Sequence, residues 1–344
     1  MNIREAIARV TASSDLAFDE MSAVMHQVMA GEASPAQIGG LLVGLRMKGE
    51  TVDEITAAAS VMRSLALKVD AGIGPLVDTC GTGGDSAGTF NISTAAAFVV
   101  AAAGGHVAKH GNRSVSSSSG SADLLEAAGV NLALGPAEIA RCIREVGFGF
   151  MFAQAHHGAT RHAAGPRREL GIRTVFNVLG PLTNPAGADR MVLGIFSPDW
   201  VPRIAEVLRR LGAQRALVVH ARDGLDEISL GAPTLIAELN GGVISEYELD
   251  PADLGIARVP SSALRVENAA ESLARIQEVF AGQHGPAHDI VALNAGAALY
   301  VCGLVSSLSA GFTRAKALLD SGAARESFDR YISFTRQFGA PTSA

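Results

Sequence analysis

The sequence predicts an α/β protein with a small all-helical N-terminal domain (residues 1–70) and a larger α/β domain (residues 71–344) on a mostly parallel central sheet. Three observations support this reading. The first 68 or so residues carry helix signals and no strand signals. From Pro75 onward, short apolar runs alternate with helical ones, the pattern of a parallel sheet with crossover helices. A glycine loop, Gly81-Thr82-Gly83-Gly84, stands between an apolar run and a long alanine-rich one, in the order strand, loop, helix.

In the N-terminal part, Ser34-Pro35 places a cap residue before a proline at the first helical position. Thr51-Val52-Asp53-Glu54 is a capping box, followed by Ile55, Ala58, Val61 and Met62 at helical spacing. Gly31 and Gly49 stop the two preceding helices. The glycine-bearing link from Val69 to Gly74 offers a hinge. Beyond it, strands are expected at Pro75–Thr79, His106–Lys109, Phe148–Ala153, Val192–Phe196 and Ala216–His220. Helices are expected over 91–103, 121–128, 137–146, 200–211, 266–281 and 286–302. Thr234 to Leu249 alternates on both sides of Asn240-Gly241-Gly242 and reads as an antiparallel hairpin added to the sheet.

The chain has 344 residues, 48% hydrophobic and 18% charged, with a net charge of -6. A mildly acidic chain without a Lys/Arg block excludes nucleic acid and anionic membrane as main partners. The longest apolar run, Ala95 to Gly105, falls short of the roughly 18 residues that span a bilayer. Cys80, Cys142 and Cys302 are far apart and read as reduced thiols of a cytoplasmic protein. Met1 to Glu5 lacks the start of a signal peptide. Cys80 sits beside the glycine loop, but no activating partner is indicated in sequence.

The chemistry concentrates in the block Asp78-Thr79-Cys80-Gly81-Thr82-Gly83-Gly84-Asp85, Thr89-Phe90-Asn91-Ile92-Ser93-Thr94 and Lys109-His110-Gly111-Asn112-Arg113. Glycines let backbone amides approach an anion closely, and a helix start adds unpaired donors and the positive end of the macrodipole. Lys109, Arg113 and the serines from Ser114 to Ser119 form a second anion-binding set. The dinucleotide fingerprint does not fit the glycine spacing, and no Gly-Lys-Ser/Thr closes a P-loop. The block reads as a site for a ligand carrying more than one phosphate.

Asp226-Glu227 follows the strand Ala216–His220. An isolated Asp-Glu pair is most often a solvated loop, but beside a phosphate site it has the composition of a Mg²⁺ site. The histidines of 156–162 lack cysteine or carboxylate at zinc-ligand spacing. One arginine among Arg161, Arg167, Arg168 and Arg173 suits bidentate capture of a carboxylate, and local sequence does not single it out. Phe176 to Pro185 carries two prolines and no titratable group, and reads as a rigid pocket wall.

Taken together, these motifs, with Gly180-Pro181-Leu182-Thr183-Asn184-Pro185 and the Arg167 region, resemble the anthranilate phosphoribosyltransferase family over nearly the whole chain. The resemblance implies a fold of the nucleoside phosphorylase and phosphoribosyltransferase type. It also implies transfer of phosphoribose from phosphoribosyl pyrophosphate (PRPP) to the anthranilate amine in tryptophan biosynthesis. By the same resemblance, Gly81, Gly84, Asp85, Thr89, Asn91, Ile92, Ser93, Thr94, Lys109, His110, Gly111, Asn112, Arg113, Ser114, Val115, Ser116, Ser117 and Ser121 contact PRPP. Gly81, Asn112 and Arg167 hold anthranilate, and Ser93, Asp226 and Glu227 bind Mg²⁺, two ions per subunit. A homodimer through the helical domain is implied as well, and no general base is assigned. The chain departs from the family pattern at His156-His157-Gly158-Ala159, often Tyr-His-Pro-Ala, and at Ser86 and Ser118. A regulatory protein that binds a phosphorylated metabolite without turnover is the non-enzymatic alternative, and a pyrimidine nucleoside phosphorylase is the nearest rival reading. It shares the architecture and a lysine-glycine phosphate loop, but has no need of Asp226-Glu227 for metal.

Overall fold

Helix α1 (Ile3–Thr11) starts at Asn2, whose side chain accepts from the amides of Arg4 and Glu5 while Glu5 reaches back to the Asn2 amide. Helix α2 (Phe18–Ala30) ends at Gly31, with φ 77°. Helix α3 (Pro35–Lys48) is capped by Ser34, as expected, and ends at Gly49. Helix α4 (Val52–Leu65) starts in the expected Thr51–Glu54 box. Glu54 is fully buried, and its carboxylate takes the Leu16 amide, the Thr51 amide and the Lys48 ammonium, each at 2.9 Å. One cap thus serves as a tertiary clamp, because a buried carboxylate needs such partners.

The structure, a computed structural model, describes residues 1–84, 87–114 and 119–339. After the bundle come β1 (Leu76–Gly81), α5 (Ile92–Ala102), β2 (His106–Gly111), α6 (Ser121–Ala127), α7 (Pro136–Val146), β3 (Phe148–Phe152) and the short α8 (Ala153–His156). Next are α9 (Arg161–Leu170), α10 (Phe176–Leu179), β4 (Arg190–Gly194), α11 (Val201–Arg210), β5 (Arg215–Ala221), β6 (Thr234–Asn240) and β7 (Val243–Leu249). Helices α12 (Ala269–Phe280), α13 (Pro286–Cys302), α14 (Leu308–Asp320) and α15 (Ala323–Arg336) complete the described chain.

The sheet order is β3-β2-β1-β4-β5-β6-β7. β1 to β5 are parallel, while β6 and β7 form the expected antiparallel hairpin. One face packs on α5, α13 and α15, where Phe98 stacks on Phe148 with ring centroids 4.1 Å apart. The other face is covered by α11, and its core continues into the helical bundle. Ala163, Val175, Phe176, Val178, Leu179 and Leu182 join that second core, so the bundle draws residues from the middle of the chain. The Arg63 Nε donates to Leu182 O at 2.6 Å, and Arg46 donates to Arg173 O at 2.8 Å, tying the two regions together. The link beyond α4 is stitched down as well. Leu67 N donates to His156 O at 2.9 Å and Val69 N to Pro185 O at 3.2 Å.

Candidate active site

Strand β1 has its crossover partner β2 on one side and β4, leading to β5, on the other. That is the switch point where open α/β sheets bind ligands, outside the carboxyl ends of the strands. Gly81 ends β1 and pairs with Gly194, which ends β4. Both are glycine for a steric reason. A Cβ at Gly81 would collide with the Asp226 carboxylate, and one at Gly194 with the Asp226 carbonyl. Asp226 therefore sits directly on the strand ends. Its Oδ2 accepts from the Gly83 amide at 2.7 Å. Gly83 and Gly84 have φ of 65° and 77°, a conformation that L side chains rarely adopt. Thr82 N donates to Gly194 O at 2.9 Å and Phe196 N to Thr82 Oγ1 at 3.1 Å, while Arg173 stacks on the Phe196 ring and donates to Gly84 O.

Below the loop lies a buried polar network. Asp78 is fully buried and accepts from Asn184 Nδ2 at 2.7 Å and from the His110 amide at 3.3 Å. Burial pushes its carboxyl up to about 6, against the pull of the Lys109 ammonium. Lys109 is buried too, and burial lowers its pKa. Its Nζ donates to Thr79 O and lies 3.4 Å from Ser93 Oγ, with Glu227 near enough to act on its charge. Ser93 thus stands with Glu227 beside one ammonium. Ser93, Asp226 and Glu227 supply hydroxyl and carboxylate oxygens, the donor type of a hard divalent cation. Cys80 is raised by burial and by the neighbouring Asp78, Glu227 and Asp226, so it is an inert thiol.

The α5 start is held from two sides. Asn91 Oδ1 accepts from Ser119 Oγ at 3.0 Å and Ser272 Oγ at 2.7 Å, and its Nδ2 donates to Ser119 O at 3.0 Å. Ile92 and Thr94 pack into the core. Thr89 forms an isolated bridge with Arg265. Past β2, Ser121 Oγ is 3.5 Å from the Asn112 carbonyl, and the Ser114 amide donates to Asp123 Oδ2 at 2.9 Å. The two cations expected to form one anion-binding set are split. Lys109 serves the buried network, whereas Arg113 is exposed and gripped by Glu126 at 2.7 and 2.8 Å and by Asp123 at 3.0 Å. The expected positions Asp85, Val115, Ser116 and Ser117, and the departures Ser86 and Ser118, lie outside the described residues.

His110 Nδ1 lies 3.2 Å from the Gly180 carbonyl, which sets Nδ1 as the protonated nitrogen. Its Nε2, like that of His157, has no hydrogen-bond partner among the described residues. The two rings are 5.0 Å apart, and burial holds His110 down to about 3 and His157 to about 4. Both are neutral near pH 7. Arg167, in the last turn of α9, is half-buried with its guanidinium 5.0 Å from the Phe176 ring centre, and burial lowers its pKa. Arg168 is exposed.

Three contributors were not legible in advance. Asn184, in the run read as an apolar wall, clamps Asp78 and also donates to Ala108 O at 2.7 Å. Arg173 was one of several arginines, yet it holds the glycine loop. Asn294 accepts from Ile228 N at 2.9 Å and donates to Ile228 O at 3.0 Å, fixing the residue after Glu227. A lone amide inside the apolar stretch Ile290 to Leu299 was the available signal for Asn294.

Residues 73–325 match the glycosyl transferase family a/b domain, and residues 4–66 match the helical bundle domain of that family. Fold and site thus define a two-domain glycosyl transferase. The anthranilate phosphoribosyltransferase of Thioalkalivibrio sulfidiphilus is 62% identical over 97% of this chain and 99% of its own length. That of Alkalilimnicola ehrlichii is 58% identical over 98% and 100%. The solved anthranilate phosphoribosyltransferase of Thermus thermophilus superposes with a TM-score of 0.91 at 47% identity, covering 96% of this chain and 99% of that one. The Saccharomyces cerevisiae enzyme in complex with PRPP and Mg has a TM-score of 0.89 over 97% of this chain and 98% of its own, and at 23% identity it speaks for the fold alone. The chain belongs to the anthranilate phosphoribosyltransferase family.

Proposed function

We propose that this chain transfers the phosphoribosyl group of PRPP to the amine of anthranilate, giving N-(5-phosphoribosyl)anthranilate and pyrophosphate, in tryptophan biosynthesis. The observation that carries the reading is the junction of Gly81, Gly83, Gly194 and Asp226, which places a carboxylate against an amide-rich loop at the sheet's switch point. The relatives at 62% and 58% identity are anthranilate phosphoribosyltransferases, which supports it.

PRPP would lie over the loop from Gly81 through Gly84 and Asp85, reaching Thr89, Asn91 to Thr94, Lys109 to Ser117 and Ser121. Several of these act by shaping the site. Asn91 spends its side chain on Ser119 and Ser272, and Ile92 and Thr94 lie in the core. Ser93, Asp226 and Glu227 would hold Mg²⁺, two ions per subunit, and their all-oxygen donor set fits it. When bound, the metal neutralises charge that builds on the departing pyrophosphate. Arg167 would hold the anthranilate carboxylate, with Gly81 and Asn112 on the ring. The half-buried guanidinium on Phe176 is preset for a planar anion, while exposed Arg168 is not.

Displacement at an anomeric carbon passes through a transition state with oxocarbenium character. Anthranilate's amine is neutral near pH 7, so positioning and charge stabilisation do most of the work and no general base is assigned. We further propose a division at about residue 70, a cytoplasmic homodimer joined through the helical domain, and an active site in the cleft between domains. Among the described residues, no helix is long and apolar enough to cross a membrane.

The test is the native fluorescence of anthranilate. The purified chain with PRPP and Mg²⁺ should extinguish it, and omitting either should preserve it. Persistent fluorescence alongside Mg²⁺-independent phosphorolysis of thymidine would favour the phosphorylase reading.

A further inference from the structure

The α13–α14 pair carries a second cluster of ligating side chains that the reaction does not use. Its two helices run antiparallel and meet backbone to backbone, since a Cβ at Gly296 would strike Gly311 and Phe312, and one at Gly311 would strike Gly296. At the far end of this crossing, the start of α13 faces the last residue of α14. There His284, His288 and Asp320 each present one ligand atom, all within 4.8 Å of one another. His288 Nε2 lies 3.1 Å from Asp320 Oδ1, and His284 Nε2 lies 3.3 Å from the same oxygen. The two imidazoles stack at 4.7 Å with a 26° angle between their planes.

We propose that His284, His288 and Asp320 form a structural site for a first-row transition cation of the Zn²⁺ type, clasping the α12–α13 turn to the end of α14. Four ligands at about 2.0–2.1 Å around a tetrahedral ion stand roughly 3.3–3.4 Å from one another, close to the two separations seen. Imidazole nitrogen with one carboxylate selects such an ion over Mg²⁺, which prefers oxygen. The partner atoms add to the argument. The His288 side chain is fully buried, and its Nδ1 makes no hydrogen bond among the described residues. Asp289 Oδ1 stands 3.7 Å from that Nδ1, with Lys316 Nζ 3.8 Å from the same oxygen. At that distance Asp289 makes no hydrogen bond to the ring, but its charge lies beside it, and Nε2 is the nitrogen turned toward Asp320 and open to an ion. Without a cation, Nε2 carries the proton and donates to Asp320 Oδ1 at 3.1 Å, and an ion would take the place of that proton. The ends of the helices also suit the arrangement, because the carbonyls that close α14 place negative potential beside Asp320. His284 and Asp320 are solvent-facing, with side chains 67% and 43% exposed, so an ion has an entry path and a water completes the coordination.

The site is separate from Ser93, Asp226 and Glu227, and the experiment keeps the two apart. The full chain, stripped with a chelator and then held in excess Mg²⁺, is titrated with Zn²⁺ by calorimetry. One equivalent should bind and raise the melting temperature. Co²⁺ in its place should give the strong visible bands of a four-coordinate nitrogen-containing site. His284→Ala and Asp320→Asn, both at exposed positions, should each abolish the heat and the bands while leaving transfer activity intact. Asp226→Asn with Glu227→Gln should leave the Zn²⁺ equivalent in place. No Zn²⁺ binding above the Mg²⁺ background, or binding that survives both His284→Ala and Asp320→Asn, would show that the cluster is a hydrogen-bonded clasp without an ion.

Discussion

The Gly83 amide donates to the Asp226 carboxylate at 2.7 Å across 143 residues of chain. This bond joins the loop expected to cradle phosphate with the carboxylate expected to hold metal, so the two halves of the site form one unit. Gly81 and Gly194 leave room for it.

Removing the charges at that junction should disable the enzyme while sparing the fold. Asp226→Asn with Glu227→Gln keeps the volumes, but a cation that neutralises the leaving group contributes several kcal/mol to the transition state. Turnover should fall by roughly a hundredfold or more, with an unchanged circular dichroism spectrum. A wild-type Mg²⁺ titration of activity in the double variant would reject the assignment.

Asn294 positions this junction from α13. Asn294→Ala would leave the buried N–H and C=O of Ile228 without their partner, at about 1–3 kcal/mol for each group. The variant should melt several degrees lower and need more Mg²⁺ for half-maximal rate. A lower melting point with an unaltered Mg²⁺ requirement would make Asn294 a core residue only.

Acid should destabilise the chain, and the sign follows from three buried groups. His110 and His157 are held at about 3 and about 4, below the ordinary value of 6.5, so they contribute stability that is present above pH 6.5 and lost as pH falls through those values. Asp78, raised from 3.8 to about 6, acts oppositely: its contribution is present below 3.8 and lost as pH rises through 6. Between about pH 6 and pH 4 the unfolded chain gains two protons on the histidines against one retained by Asp78 in the native state, so stability falls with pH. Urea midpoints from about pH 7 to about pH 4.5 should drop, and His157→Gln should flatten the slope. A midpoint that rises on acidification would contradict the burial of these histidines.

Arg167→Ala should remove a charge-assisted hydrogen bond worth about 1.5–3 kcal/mol. That corresponds to roughly a 10- to 150-fold loss in kcat/KM for anthranilate, with PRPP affinity nearly unchanged. Arg168→Ala, at an exposed position, should be mild. Equal losses for both substrates would mark the end of α9 as structural.

Element order and sheet direction were legible because apolar periodicity and caps are local signals. Thr51–Glu54 and the Asn240-Gly241-Gly242 turn fall where the chain announces them. Long-range pairings were not. Nothing local in Asn184 marks it as the partner of Asp78, 106 residues away. Arg113 reads as a phosphate cation, and nothing local announces its ion pairs with Glu126 and Asp123, one helical turn apart on α6. The bundle's use of residues around 163–182 was equally hidden, since hydrophobicity tells that a side chain is buried and not against what.

The reaction itself is tested most directly by its stoichiometry. Anthranilate consumed and pyrophosphate released should be counted in one mixture of enzyme, PRPP, anthranilate and Mg²⁺. The account predicts equal amounts of each, and none of either when PRPP or Mg²⁺ is left out. Pyrophosphate released without loss of anthranilate, or anthranilate consumed without pyrophosphate, would contradict it.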